Sequence, residues 1–188
     1  MIIDFHTHIY PDQLAQRVIK NVTDMHVDHY CDGTDRSLRQ SMAEAGVTHS
    51  VILNIATRIG QTKSVVEYAK LLKKREEASR FEQTFIPFAS VHPFEEGWKY
   101  WLHKIQKMGF PGIKLHPDYQ DFYLDDPRLV GFYKDVADLV LILVFPAGFD
   151  ISTPHDTHAT PKRLANVLPL LEQCTTVLAH MGGYAMYE

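Results

Sequence analysis

The sequence predicts an α/β protein of the (β/α)8 TIM-barrel type, incomplete at about six of the eight βα units. Three observations lead there. Six short β-like runs alternate with longer amphipathic segments, the pattern of a parallel sheet covered by helices. No glycine-rich phosphate loop follows the first run, which leaves a dinucleotide-binding doubly wound sheet with little support. Histidines stand at the carboxyl ends of four runs, His8, His92, His116 and His180, where barrel active sites gather.

The first run, Ile2 to His8, is rich in β-branched and aromatic residues and stops at Tyr10-Pro11. Val47 to Ile55, Thr84 to Val91, Gly112 to His116, Val140 to Phe145 and Thr175 to His180 follow. Between them, Ser37 to Ala45 reads as a helix closed by Gly46, and Glu95 to Met108 as one closed by Gly109. Gln61 to Ala78 puts Val65, Tyr68, Ala69 and Leu72 on one helical face. Pro127 to Asp138 opens with proline, where a helix tolerates it, after Asp126 as N-cap. Pro161 to Gln173 repeats that pattern after Thr160, with Pro169 set to interrupt its last turn. The closing residues, Gly182 to Glu188, read as the start of another helix. A full barrel of about 250 residues needs two further βα units. Strands one and six then lack neighbours, so self-association through open barrel edges is expected.

Composition bounds the partners. The 188 residues are 45 % hydrophobic and 22 % charged, ordinary for one globular domain spanning 1–188. A net charge of −4 and a pI near 6.2 give no reason to expect nucleic acid. Cys31 and Cys174 lack metal or redox spacing, and Met1-Ile2-Ile3-Asp4 lacks a signal's basic region and apolar run. The longest apolar stretch, Leu139 to Phe145, is too short for a bilayer. A cytoplasmic protein with a small-molecule substrate and no membrane partner is expected.

The chemistry begins at Asp4-Phe5-His6-Thr7-His8. Side chains alternate along a strand, so Asp4, His6 and His8 point the same way. Two imidazoles so placed can share a divalent metal, and zinc favours nitrogen ligands. They can equally be strand histidines satisfied by hydrogen bonds. Their position at the end of the first strand of a βα series favours the metal site.

Phe5-His6-Thr7-His8-Ile9-Tyr10-Pro11, Gly112-Ile113-Lys114-Leu115-His116-Pro117, Ala147-Gly148-Phe149-Asp150 and Leu178-Ala179-His180-Met181-Gly182-Gly183 together resemble the amidohydrolase-related family of hydrolases and non-oxidative decarboxylases. The resemblance spans essentially the whole chain. It implies a barrel holding one or two divalent metals, usually zinc, with His6 and His8 as ligands. His180 matches the strand-six histidine, a ligand or catalytic acid/base. Two family elements are not matched. The strand-five histidine position is Pro146, which has no donor atom, and the strand-eight aspartate falls beyond the sixth strand.

Lys114 and His116 share a face of strand four. A strand-four lysine is carbamylated in some superfamily members. Lys114 can instead bind a substrate carboxylate, or be ion-paired inside the barrel. His116 and His92 are further candidates for substrate contact, His92 also reading as a satisfied loop histidine. His26-Val27-Asp28-His29 has helical spacing with nothing to place it near a pocket. His155 and His158, in the loop after strand five, can contact substrate or partly replace a lost ligand but read first as solvated loop histidines, and Lys73 to Glu77 reads as a solvated charged face.

The expected activity is metal-dependent hydrolysis or decarboxylation of a small organic substrate, impaired by Pro146 and the early ending. The same departures support a catalytically inactive remnant or pseudoenzyme. A third reading is a TatD-type metal-dependent deoxyribonuclease, which shares the opening histidines but commonly carries glutamate where this sequence has Lys114.

Overall fold

A computed structural model describes residues 1–24, 29–150 and 156–186. His26, Val27, Asp28 and His155 lie outside the described residues. The chain divides into two compact units, one of Met1–Asn54 with Tyr68–Pro87 and one of Ile55–Glu67 with Phe88–Glu188.

The first unit carries β1 (Ile3–Thr7), α1 (Asp12–Asp24), α2 (Asp35–Ala45), β2 (His49–Ile52), most of α3 (Thr62–Ala78) and β3 (Thr84–Pro87). Its strands are parallel in the order β1-β2-β3, with Ile3 opposite His49 and Val51 opposite Ile86. Capping explains where α2 starts and stops. The Thr34 hydroxyl accepts the Ser37 N–H, and Gly46 takes the left-handed turn that lets the Val47 N–H reach the Met42 carbonyl at 2.8 Å. Ile9, Leu38, Met42, Ile52, Leu72 and Phe85 form the core between sheet and helices.

Two sequence expectations change here. Helix α1 was not expected, although Ala15, Val18, Ile19 and Val22 repeat at helical spacing and are its buried or half-buried residues. The charged run at the end of α3 is not wholly solvated. Glu76 turns inward, pairs with the buried Arg39 and accepts the Phe85 N–H at 2.9 Å. Arg39 also binds Asp35 at 2.7 Å and lies 3.9 Å from the Phe85 ring centroid. A buried guanidinium needs such partners, and these hold α2, α3 and β3 together.

The second unit carries α4 (Trp98–Lys107), β4 (Gly112–Lys114), a 3-10 turn (Pro127–Leu129), α5 (Val130–Asp138), β5 (Ile142–Gly148), α6 (Pro161–Val167), a second 3-10 turn (Leu168–Leu170) and β6 (Thr176–Tyr184). The strands are parallel in the order β4-β5-β6, and Ala89 adds a parallel bridge to Ile113. The Asp126 and Thr160 caps form as expected, and Pro169 lies in the 3-10 turn that ends α6. Helix α4 starts three residues later than expected, after a left-handed Gly97, because the Glu95 carboxylate instead binds Thr62 and the Gly60 N–H.

The expected C-terminal helix is replaced by more strand. Strand β6 runs on through Gly182-Gly183 to Tyr184, which pairs with Gly148. Glycine makes that approach possible, since a Cβ at position 148 would lie 2.4 Å from the Tyr184 backbone. Among the described residues no helix is long and apolar enough to cross a membrane.

Among the described glycines, Gly112 leaves the least room for a side chain. A Cβ there would meet the Ile142 carbonyl oxygen at 2.1 Å and the Phe88 ring at 2.6 Å. Gly112→Ala is expected to lower the stability measured by urea unfolding by about 3 kcal/mol or more. Gly131→Ala in α5 meets nothing within 4 Å. It is expected to be neutral or stabilising by up to about 1 kcal/mol.

Candidate active site

Strand β4 sets the first side chains. Its alternation sends Ile113 and Leu115 to one face and Lys114 and His116 to the other. Lys114 is fully buried, and that burial pulls its amine down to about 7 from an ordinary 10.5. Its backbone is fixed on both sides. The Lys114 N–H donates to Ala89 O at 2.8 Å, and its carbonyl accepts the Ser90 hydroxyl at 2.7 Å.

The turn after β4 is held by Gln120, only 1 % exposed. Its side-chain oxygen accepts the His116 N–H at 2.8 Å. Its amide nitrogen donates to the Ala56 and Val91 carbonyls at 3.0 and 3.1 Å. One glutamine therefore pins His116 to two other loop segments of this unit.

His116 is thereby placed between two carboxylates. Its Nε2 lies 3.6 Å from Asp150 Oδ2 and its Nδ1 3.9 Å from Asp118 Oδ2. Tyr119 stacks flat on its ring, with centroids 3.9 Å apart and planes 5° from parallel. Asp118 Oδ1 in turn accepts the His158 N–H at 3.4 Å. His158 is buried rather than solvated, its Nδ1 lying 3.2 Å from the Pro117 carbonyl oxygen. That contact anchors the segment after β5 to the turn after β4.

Pro146 sits in the middle strand without breaking it. Alternate residues of β5 face opposite neighbours. The Ile142 N–H donates to Pro111 O and the Leu143 N–H to Thr175 O. Position 146 therefore faces the β4 side, beyond Lys114, where that ladder has ended and no N–H is needed. In β6, His180 lies inside the strand rather than at its end. His180, Met181 and Gly182 all have positive φ, at 58°, 56° and 83°. This left-handed kink is costly for the first two residues. Desolvation, then the Lys114 charge, lowers the His180 pKa, while Asp150 opposes the shift.

The first unit holds His6 and His8, both half-buried, with ring centroids 5.1 Å apart at 65°. Two imidazoles this close fit the donor set of one divalent cation. His92 is 5 % exposed, its Nδ1 accepts the Phe94 N–H at 3.3 Å, and burial lowers its pKa. Lys114, His116, His92 and His180 thus fall in the second unit and His6 and His8 in the first. Sequence reasoning missed Asp118, Asp150 and Gln120 as site residues. Only the strand-end position of Asp150 offered a signal.

The sequence pattern of the family described as amidohydrolase matches residues 3–188. No curated protein matches. Several solved structures do. An uncharacterized TIM-barrel protein from Bordetella bronchiseptica superposes with a TM-score of 0.67 at 17 % identity, over 94 % of this chain and 66 % of its own. A probable 2-pyrone-4,6-dicarboxylic acid hydrolase from Acinetobacter baumannii, with citric acid bound, gives 0.58 at 18 %, over 96 % and 58 %. A 5-carboxyvanillate decarboxylase from Novosphingobium aromaticivorans, with bound manganese, gives 0.65 at 13 %, over 97 % and 66 %. The fold is therefore of the TIM-barrel type, as expected, and this chain spans about three-fifths to two-thirds of the length of these barrels.

The buried amine makes stability depend on pH. Between about 7 and 10.5 the unfolded chain holds a proton on Lys114 that the folded chain does not. Stability therefore rises with pH across that window, and the full penalty is present below it. Lys114→Met is expected to be more stable than the parent near pH 7, by an amount on the order of 4 kcal/mol. That advantage should shrink toward pH 10.5 in paired urea titrations. A gap independent of pH would show that Lys114 titrates normally.

Proposed function

The chain belongs to the amidohydrolase family, and we propose that it is a divalent-metal-dependent hydrolase or non-oxidative decarboxylase acting on a small organic carboxylate. The observation that carries this reading is the gathering of Lys114, His116, Asp118, Asp150 and His180 around the carboxyl-terminal parts of β4, β5 and β6. Barrel enzymes build their sites there. The names of the solved neighbours support the substrate class, since both enzymes act on carboxylated rings.

His6 and His8 are proposed as metal ligands, with zinc or manganese as the ion. His180 is proposed as a further ligand or as the general acid/base. A bound ion supplies Lewis-acid polarisation and water of lowered pKa. The residues do the rest. The lowered pKa of His180 keeps its imidazole neutral at pH 7 and ready to accept a proton. Lys114, poised near 7, gains its proton when an anionic group arrives and holds that group by charge. His92 and His116 are proposed to contact substrate beside it. A cytoplasmic setting is proposed with this role.

The purified chain, loaded with Mn²⁺ or Zn²⁺, tests the proposal on aromatic and aliphatic carboxylates and their lactones and amides, by CO2 and proton release. Turnover is expected to need metal and to fall about 100-fold or more in His180→Ala. Turnover that survives chelation, or that His180→Ala leaves untouched, would overturn it. Pro146→His returns a nitrogen to the family's strand-five position. Its zinc affinity, by competition with a chromogenic chelator, is expected to exceed that of the parent. Equal affinities would exclude position 146 from the ligand set.

A further inference from the structure

His116, Asp118 and Asp150 offer one ligand atom each within 4.8 Å of one another. Donors on a common ion at about 2.0–2.2 Å stand no more than about 4.4 Å apart. The 4.8 Å spread therefore closes on an ion with shifts of a few tenths of an ångström. We infer that His116, Asp118 and Asp150 form a site for a first-row divalent cation, built wholly within the second unit.

Burial and charge support the site. The Asp118 and His116 side chains are 1 % and 8 % exposed and that of Asp150 13 %. Carboxylates withdrawn from water to this depth are stabilised by a neighbouring cation. The donors are also held in place beforehand. Gln120 fixes the His116 backbone, Tyr119 fixes its ring plane, and the His158 N–H fixes Asp118. Asp150 lies two residues past the end of β5, so the segment whose Pro146 offers no donor presents an oxygen four residues later.

One nitrogen and two carboxylate oxygens, with no sulfur, suit Mn²⁺ or Zn²⁺ better than Cu⁺ or Ca²⁺. His116 becomes a ligand rather than a substrate contact. The inference does not require His6 and His8 to hold an ion, and the experiment separates the two. Binding of Mn²⁺ to the 188-residue chain is followed by the electron paramagnetic resonance of the free ion, in the parent, His6→Ala/His8→Ala, Asp150→Asn and the triple variant. The His6→Ala/His8→Ala protein is expected to keep a Mn²⁺ site that Zn²⁺ displaces. Its affinity should fall at least about tenfold in the triple variant. In the parent, substoichiometric Mn²⁺ should broaden the ring proton signals of His116, a readout that needs no folded variant. Unchanged affinity on adding Asp150→Asn, or sharp His116 signals while other histidines broaden, would overturn the inference and leave the β1 pair standing. Loss of all Mn²⁺ binding in His6→Ala/His8→Ala would also overturn it. Binding lost in Asp150→Asn alone, and untouched in His6→Ala/His8→Ala, would uphold it and remove the β1 pair from the proposed function.

Discussion

The second unit depends on the buried amide of Gln120. Three main-chain groups from separate segments, the Ala56 and Val91 carbonyls and the His116 N–H, end on this one side chain. Each would otherwise be a polar group withdrawn from water, at about 1–3 kcal/mol apiece. Ser90 works beside it, accepting the Ala56 N–H at 3.1 Å and donating to the Lys114 carbonyl. Parallel strands leave their carboxyl ends unpaired where connecting segments depart in different directions. Here those ends are tied by two neutral side chains. The charged residues are thereby spared the structural task, and Lys114, His116 and Asp150 can face the site.

Much of the fold could be read from local chemistry. Caps are nearest-neighbour events, so Thr160 before Pro161, Asp126 before Pro127 and Gly46 after Ala45 fix helix ends wherever the helices pack. Helix α1 escaped because its apolar residues are thinly spread. Only Ala15 is fully buried, and Leu14 faces solvent. The C-terminal strand escaped for a different reason. Gly182-Gly183 is locally ambiguous between a helix entry and a kinked strand. What decides is the contact of Tyr184 with Gly148, 36 residues away along the chain.

The site divides in the same way. Lys114, His116 and His180 could be named because strand alternation and family motifs mark them. Asp118 could not, since a single aspartate in a turn has no period and no fixed spacing, and Asp150 was marked only by its place in a motif just past a strand end. Their significance arises from the placement of His116, which depends on Gln120 and Tyr119. Glu76 shows the converse. It stands in a charged run that looks solvated, and only the fold reveals that Arg39 draws it inward. Tertiary partners, not propensity, set the role of an isolated charge.

Pro146 has a meaning for folding fidelity as well as for chemistry. Strand β4 is only three residues long, so few ladder bonds specify its register against the longer β5. A slip by two residues keeps every side chain on its proper face, so hydrophobic patterning cannot detect the error. In that shifted register Lys114 would lie opposite Pro146, and the proline could not supply the bond needed on that side. A buried carbonyl would be stranded at about 1–3 kcal/mol. Pro146 thus acts as a stop against misaligned assembly.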